Sequence, residues 1–241
     1  MAAKILPIKL YGGVLGPNPL KVGLILTALK VPFESILIPM NQLKTPEYEA
    51  INPNGRLPSI HDPNTNFTIW ESGAIIEYLI ERYDTEEPRK FSFPPGSAEA
   101  QLARSFLYLQ TTGQGPYYGQ AYWFKVFHQE KIPSAVERYV NEIKRVTGVL
   151  DKWLGEQKEA HKDNIQDGPW LVGNKFSFAD VTFISWQKIA LANHADDGFD
   201  MDAFPHAKDW YERMTAKESL KAVLDTYDAE MAKRRQAQAK K

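Results

Sequence analysis

Between residues 5 and 83 the apolar positions come in short runs separated by turn residues. Ile5 to Tyr11 reads as a strand, with Pro7 marking its beginning or an edge. Pro19 to Lys30 carries Leu20, Leu24, Ile25, Leu26 and Leu29 and reads as a mostly buried helix. Phe33 to Pro39 predicts a second strand, residues 46–50 a short helix, and Arg56 to Ile60 a third strand. Asp62-Pro63-Asn64-Thr65-Asn66 has the composition of a hairpin turn, across which Phe67 to Trp70 pairs back. Ser72 to Tyr83 predicts a helix with Ile75, Ile76 and Leu79 on one side. In this β-α-β-(α)-β-β-α order, a helical crossover joins the first two strands and a tight turn joins the last two.

The pattern changes near residue 90. Residues 84–97 hold three prolines and read as a linker. Beyond them the periodicity is helical, at 98–127, 133–157, 177–194 and 203–215, with a further helix over 217–230. The expected domains are an α/β domain at 1–86 and an all-α domain at 96–241, joined by 87–95. From Ala232 the basic end (Lys233, Arg234, Arg235, Lys240, Lys241) reads as a frayed, solvated tail.

Composition narrows the chemistry. Lys and Arg number 29 against 30 Asp and Glu, so no global basic field favours nucleic acid. No apolar stretch approaches a membrane span, and the run after Met1-Ala2-Ala3-Lys4 is broken by Pro7 and Lys9, too short for a secretory leader. A soluble cytoplasmic protein is expected. There is no cysteine, which removes disulfides, thiolate metal sites and a catalytic thiol, so any sulfur chemistry must use a ligand's sulfur. The five histidines (61, 128, 161, 194, 206) show no i, i+4 ligand spacing, and no metal centre is expected.

Three segments carry candidate chemistry. Asn18-Pro19, after the loop Gly12-Gly13-Val14-Leu15-Gly16-Pro17, combines a preferred N-cap with a preferred first helical residue. It serves as plain capping, or it offers a helix terminus to an anion or thiolate. Asn54-Gly55-Arg56-Leu57-Pro58 joins a turn signal to a proline at a strand entrance, which invites a cis bond and leaves the Leu57 backbone free to pair with an extended peptide. Trp70-Glu71-Ser72-Gly73-Ala74 ends a strand and opens a helix. Ser72 and the first free amides suit a carboxylate and Glu71 an ammonium, together the zwitterionic end of an α-amino acid. The same pair also serves as an ordinary cap.

Taken together these segments resemble the cytosolic glutathione transferases. The chain resembles their thioredoxin-like domain followed by their helical domain over nearly its whole length. A further match is Trp170-Leu171-Val172-Gly173-Asn174-Lys175-Phe176-Ser177-Phe178-Ala179-Asp180, similar to the family's capping motif. There Ser177 caps a helix, Asp180 reaches back, and Phe176 is placed to staple onto Val181. Gly113-Gln114-Gly115-Pro116-Tyr117-Tyr118-Gly119-Gln120 and Ser134-Ala135-Val136-Glu137-Arg138-Tyr139 resemble the Nu class and the fungal nitrogen-regulator-like branch. In that branch an Asn or Thr stands where other classes use Tyr, Ser or Cys, and the matching residue is Asn18.

The resemblance implies a glutathione site with Asn18 at the sulfur as the catalytic residue. It sets the Leu57 backbone along the cysteinyl unit, Glu71 and Ser72 at the γ-glutamyl end, and Lys44 and Arg56 as cations for the glycyl carboxylate. It implies a homodimer in which Arg138 reaches the neighbouring site, and a small apolar electrophile as second substrate. The aromatic stretch Tyr117, Tyr118, Tyr122, Trp123 and Phe124 either lines that pocket or packs helices. Tyr11, at the end of the first strand, is the other residue placed to act on the thiol. Alternative activities are a glutathione-dependent disulfide reductase or peroxidase working without a protein cysteine, and a non-catalytic regulator.

Overall fold

A computed structural model describes residues 5–239; the residues read against a leader, Met1 to Lys4, and the tail residues Lys240 and Lys241 lie outside that range. The chain divides into two compact units, one of residues 1–87 with 217–241 and one of 88–216.

The first unit is built on β1 (Ile8–Tyr11), β2 (Phe33–Ile36), β3 (Ser59–Asp62) and β4 (Phe67–Trp70), in the order β2-β1-β3-β4. β1 runs parallel to β2, with Ile8 opposite Phe33, and antiparallel to β3, with Leu10 opposite Ile60. The β3–β4 hairpin closes where expected, and Asp62 accepts from the hydroxyls of Tyr78 and Tyr83 and from Asn64. Alternation along β1 buries Ile8 and Leu10 beneath α1 (Pro17–Ala28), whose Leu20, Leu24, Ile25 and Leu26 are fully buried. α2 is a single turn (Pro46–Glu49), and α3 (Ser72–Tyr83) turns Ile75, Ile76 and Leu79 inward as predicted.

The second unit is helical: α4 (Ala98–Tyr108), α5 (Gly115–Val126), α6 (Pro133–Ala160), α7 (Phe178–Val181), α8 (Ile184–Asn193) and α9 (Pro205–Thr215). The single helix expected over 98–127 is interrupted by a π turn at Leu109–Gln114, where Gly115 donates to Gln110, five residues back. Pro116 has no amide to donate and crowds the carbonyl four residues before it, so widening this turn accommodates the proline without ending the helix. Buried Asp180 accepts from the Ser177 amide and hydroxyl, the Leu171 amide and the Trp210 indole. Burial pushes its carboxyl above the usual carboxylate range against those donors. Phe176 meets Trp170 edge-on with ring centres 5.0 Å apart and lies tilted against Phe91 at 5.7 Å.

The last helix, α10 (Glu218–Ala239), packs on α1 and so groups with the first unit, not with the helical domain expected to run to 241. Its backbone also continues past residue 232, where a frayed end was expected. The Ala, Gln, Lys and Arg of that stretch are strong helix formers.

Candidate functional site

Asn18, Asn52, Asn54, Arg56, Leu57, Pro58, Glu71 and Ser72 line a cavity of about 90 Å³ within the first unit. Five of the predicted glutathione-site residues (Asn18, Arg56, Leu57, Glu71, Ser72) therefore come together at one place.

α1 contributes Asn18 from its first turn. The helix begins earlier than the sequence implies: Gly16 is the N-cap, Pro17 the first helical residue, and Gly16 O accepts from Leu20 N at 2.8 Å. The Asn18 cap is thus corrected. Proline is tolerated throughout the first turn, so Pro17 and Pro19 both fit, and Asn18 lies between them.

The 52–58 loop forms one wall. Asn52 Oδ1 accepts from Asn54 N at 2.9 Å, and Asn52 Nδ2 donates to Arg56 O at 2.7 Å. The Tyr48 hydroxyl donates to the same carbonyl at 2.9 Å. Gly55 takes φ 57°, with its Cβ position pressed against Leu43 O and the Lys44 side chain, so this turn requires glycine. The Leu57–Pro58 bond is cis, as the proline at the strand entrance invited. Lys44 does not line the cavity; its Nζ donates to Asn54 O at 2.7 Å and braces the loop from outside.

α3 forms the opposite wall. Glu71, not Ser72, occupies the N-cap position, with a left-handed φ of 67° that is rare for a non-glycine residue and marks a held conformation. Its carboxylate accepts from Asn54 Nδ2 at 3.3 Å. Ser72 follows as the first helical residue, 7% exposed, ahead of first-turn amides that have no acceptor within the helix. A carboxylate is thus offered donors and an ammonium is offered the Glu71 acceptor, a combination suited to a zwitterion.

Asn52 lines the cavity without having been singled out, and Asn54 and Pro58, read as a turn signal and a strand-entrance proline, line it as well. The Asn52-Pro53-Asn54-Gly55 sequence, rich in side chains that fold back on their own backbone, was the signal available for the two asparagines. Lys21 was also missed. It lies one turn beyond Asn18, is fully buried, and burial lowers its pKa to about 7 while the Glu71 charge holds it up.

The other candidates lie elsewhere. Tyr11 is half-buried, its ring edge-on to Tyr48 at 6.5 Å, and it is not part of the cavity lining. In the second unit Tyr118 is a core residue: it is fully buried, bonded through its hydroxyl to Ile143 O at 3.1 Å and Thr147 Oγ1 at 2.9 Å, and its phenol is pushed up by burial. Its place in a second-substrate pocket is corrected accordingly. Tyr117 leans on Tyr139, Tyr122 on Phe127, and Trp123 on Phe124 and His128, with Trp123 exposed. Arg138 is exposed and pairs with Glu142 at 3.3 Å. Among the described residues no group of three His, Asp or Glu side chains is placed to hold a metal, and no helix is long and apolar enough to cross a membrane.

The family model of the glutathione S-transferase N-terminal domain matches residues 16–82, and that of the C-terminal domain matches residues 116–218. The glutathione S-transferase-like protein gedE of Aspergillus terreus is 53% identical over 223 residues, covering 92% of this chain and 96% of that protein. The glutathione transferase URE2P8 of Phanerochaete chrysosporium, solved with oxidized glutathione, superimposes with a TM-score of 0.84 at 36% identity, over 96% of this chain and 99% of that one. Ure2p in complex with S-p-nitrobenzylglutathione superimposes with a TM-score of 0.82 at 32% identity, over 92% and 96%.

Proposed function

The chain belongs to the glutathione S-transferase family, and from that premise we propose that the cavity lined by Asn18, Leu57, Glu71 and Ser72 takes glutathione and activates its sulfur toward a small apolar electrophile. By family the protein is a glutathione transferase of the thioredoxin-like fold. The observation that carries the site is the convergence of two helix first turns and the 52–58 loop on one polar cavity.

In this reading the γ-glutamyl carboxylate lies against the Ser72 hydroxyl and the first-turn amides of α3, and the γ-glutamyl ammonium against Glu71. The Leu57 backbone pairs with the cysteinyl unit as one more strand, and Arg56 receives the glycyl carboxylate. A glutathione thiol has the ordinary thiol pKa of about 8.5, so little is ionised at neutral pH. Lowering it by about two units requires stabilising the thiolate by roughly 2.7 kcal/mol relative to the thiol. The Asn18 amide donor and the N-terminal end of α1 are suited to supply that. The sulfur then forms a bond to the electrophilic carbon, with release of the leaving group or addition across a polarised double bond. The electrophile belongs to detoxification or to fungal secondary metabolism, in a cytoplasmic homodimer.

A second reading is favoured by one observation: the URE2P8 structure is described with oxidized glutathione. Reduction of a disulfide by this chain, which has no cysteine, would run through two glutathione molecules and no protein mixed disulfide. Parallel assays with a chloronitroarene and with a hydroxyalkyl disulfide, each with glutathione, test both readings. Turnover of the arene supports the transferase; turnover of the disulfide alone replaces it with the reductase.

A further inference from the structure

Lys21 occupies the fifth position of α1, in an otherwise apolar run, and none of its surface reaches solvent. A buried ammonium carries a large desolvation cost, and near a helix N-terminus the macrodipole adds to it. An aliphatic residue would pack there without either cost. The side chain lies one turn beyond Asn18 on α1, and α1 packs on α3, which opens directly after Glu71. The Glu71 charge acts on it and favours its protonated form.

The glutathione site proposed above sets two negative groups side by side, the Glu71 carboxylate and the ligand's γ-glutamyl carboxylate at Ser72. Like charges at that spacing repel. We infer that Lys21 is a positioning residue of this site, an internal cation behind Glu71 that holds its carboxylate and offsets the second carboxylate when glutathione binds. The inference rests on the γ-glutamyl reading of Glu71 and Ser72. It explains why a charge is retained at a position where burial penalises it.

A double-mutant cycle on the full-length protein, read by calorimetric titration with reduced glutathione at pH 7 and by thermal melting, tests it. Lys21→Met is expected to weaken glutathione binding about tenfold while melting at or above the wild-type temperature, because an apolar side chain fills the same space. Lys21→Arg should keep affinity within about threefold of wild type, since the charge is preserved. In the Glu71→Gln background, Lys21→Met should cost markedly less affinity than it does in the wild type, because one of the two charges it balances has gone. Wild-type affinity in Lys21→Met, or a loss that simply adds to that of Glu71→Gln, overturns the inference. So does a fall in melting temperature shared by Lys21→Met and Lys21→Arg with matching losses of affinity, which marks a packing role. Unchanged affinity in Glu71→Gln alone overturns the γ-glutamyl reading itself, and this inference with it.

Discussion

Asn18 and Ser72 stand in the first turns of two different helices, α1 and α3, and line the same cavity. Each helix start offers unpaired amides and positive potential, so the cavity has two separate anion-favouring ends. In the site proposed above, one end meets the γ-glutamyl carboxylate and the other the ionised sulfur.

The carboxylate end is tested at Ser72. Ser72→Ala removes one hydroxyl donor and leaves the first-turn amides in place. Glutathione affinity should fall by about 1–3 kcal/mol, the worth of a hydrogen bond to a charged group. Calorimetry giving wild-type affinity in a correctly folded variant would remove Ser72 from the site.

Gly55 tests whether the loop wall is needed. A Cβ there would lie 2.6 Å from Leu43 O and 2.7 Å from Lys44 Nζ, with φ at 57°. The carbonyl cannot move without shifting the chain, so Gly55→Ala should destabilise by about 2 kcal/mol and weaken glutathione binding as well. Gly96 is the control. Its φ is 81° but nothing lies within 4 Å of its Cβ position, so Gly96→Ala should cost only about 1 kcal/mol and leave binding intact. Equal effects from the two substitutions would mean that the Leu43 contact does not govern the loop.

Lys21 gives the stability a pH dependence of defined sign. Burial lowers its folded-state pKa from 10.5 to about 7. Between those values the unfolded chain carries the proton and the folded chain does not, so wild-type stability rises with pH across that window. Below pH 7 the penalty is full and constant. Lys21→Met should therefore melt above wild type at pH 7, by an amount that shrinks as pH approaches 10. A difference independent of pH over that range would show that burial does not shift this lysine.

Assembly is checked by light scattering. A homodimer should give roughly twice 27.4 kDa at micromolar concentration. Exposed Arg138, paired with Glu142 on its own helix, is available to a partner chain at modest cost, since surface pairs are weak. A monomer removes Arg138 from the glutathione site.

The parts of this structure that were legible in the sequence depend on local preference. The Asn54-Gly55 turn, the Asp62–Asn66 hairpin and the opening of α3 at Ser72 each follow from a residue's own backbone chemistry. Gly16-Pro17-Asn18-Pro19 shows the limit of that reasoning, because two prolines are each acceptable in a first turn and nothing local chooses between the two starts. Lys21 was illegible for a different reason: a charge inside an apolar helix reads as a surface position, and its full burial comes only with the packing of the folded chain around α1. The packing of α10 on α1 joins segments some two hundred residues apart, which periodicity does not encode. Tyr118 and Trp123 belong to one aromatic run and look alike in sequence, yet the helix turns one into the core and the other to solvent.

The sulfur end of the site is decided by comparing Asn18 with Tyr11. Asn18 lines the cavity and Tyr11 does not, so Asn18→Ala should lower turnover more than it weakens glutathione binding and should raise the pKa of the bound thiol. With Gly16 as the N-cap, Asn18→Ala leaves the cap of α1 in place. Asn18→Asp keeps the size of the side chain and suits the first turn of a helix, but an ionised carboxylate has no proton to donate and repels a thiolate. It should hold stability while activity falls at least as far as in the alanine variant. Tyr11→Phe should leave the thiol pKa unchanged. Titration of thiolate absorbance in the ultraviolet, run on wild type and the three variants, measures each shift directly. A raised pKa in Tyr11→Phe with none in Asn18→Ala would reverse the assignment and make the tyrosine hydroxyl the group that activates the sulfur.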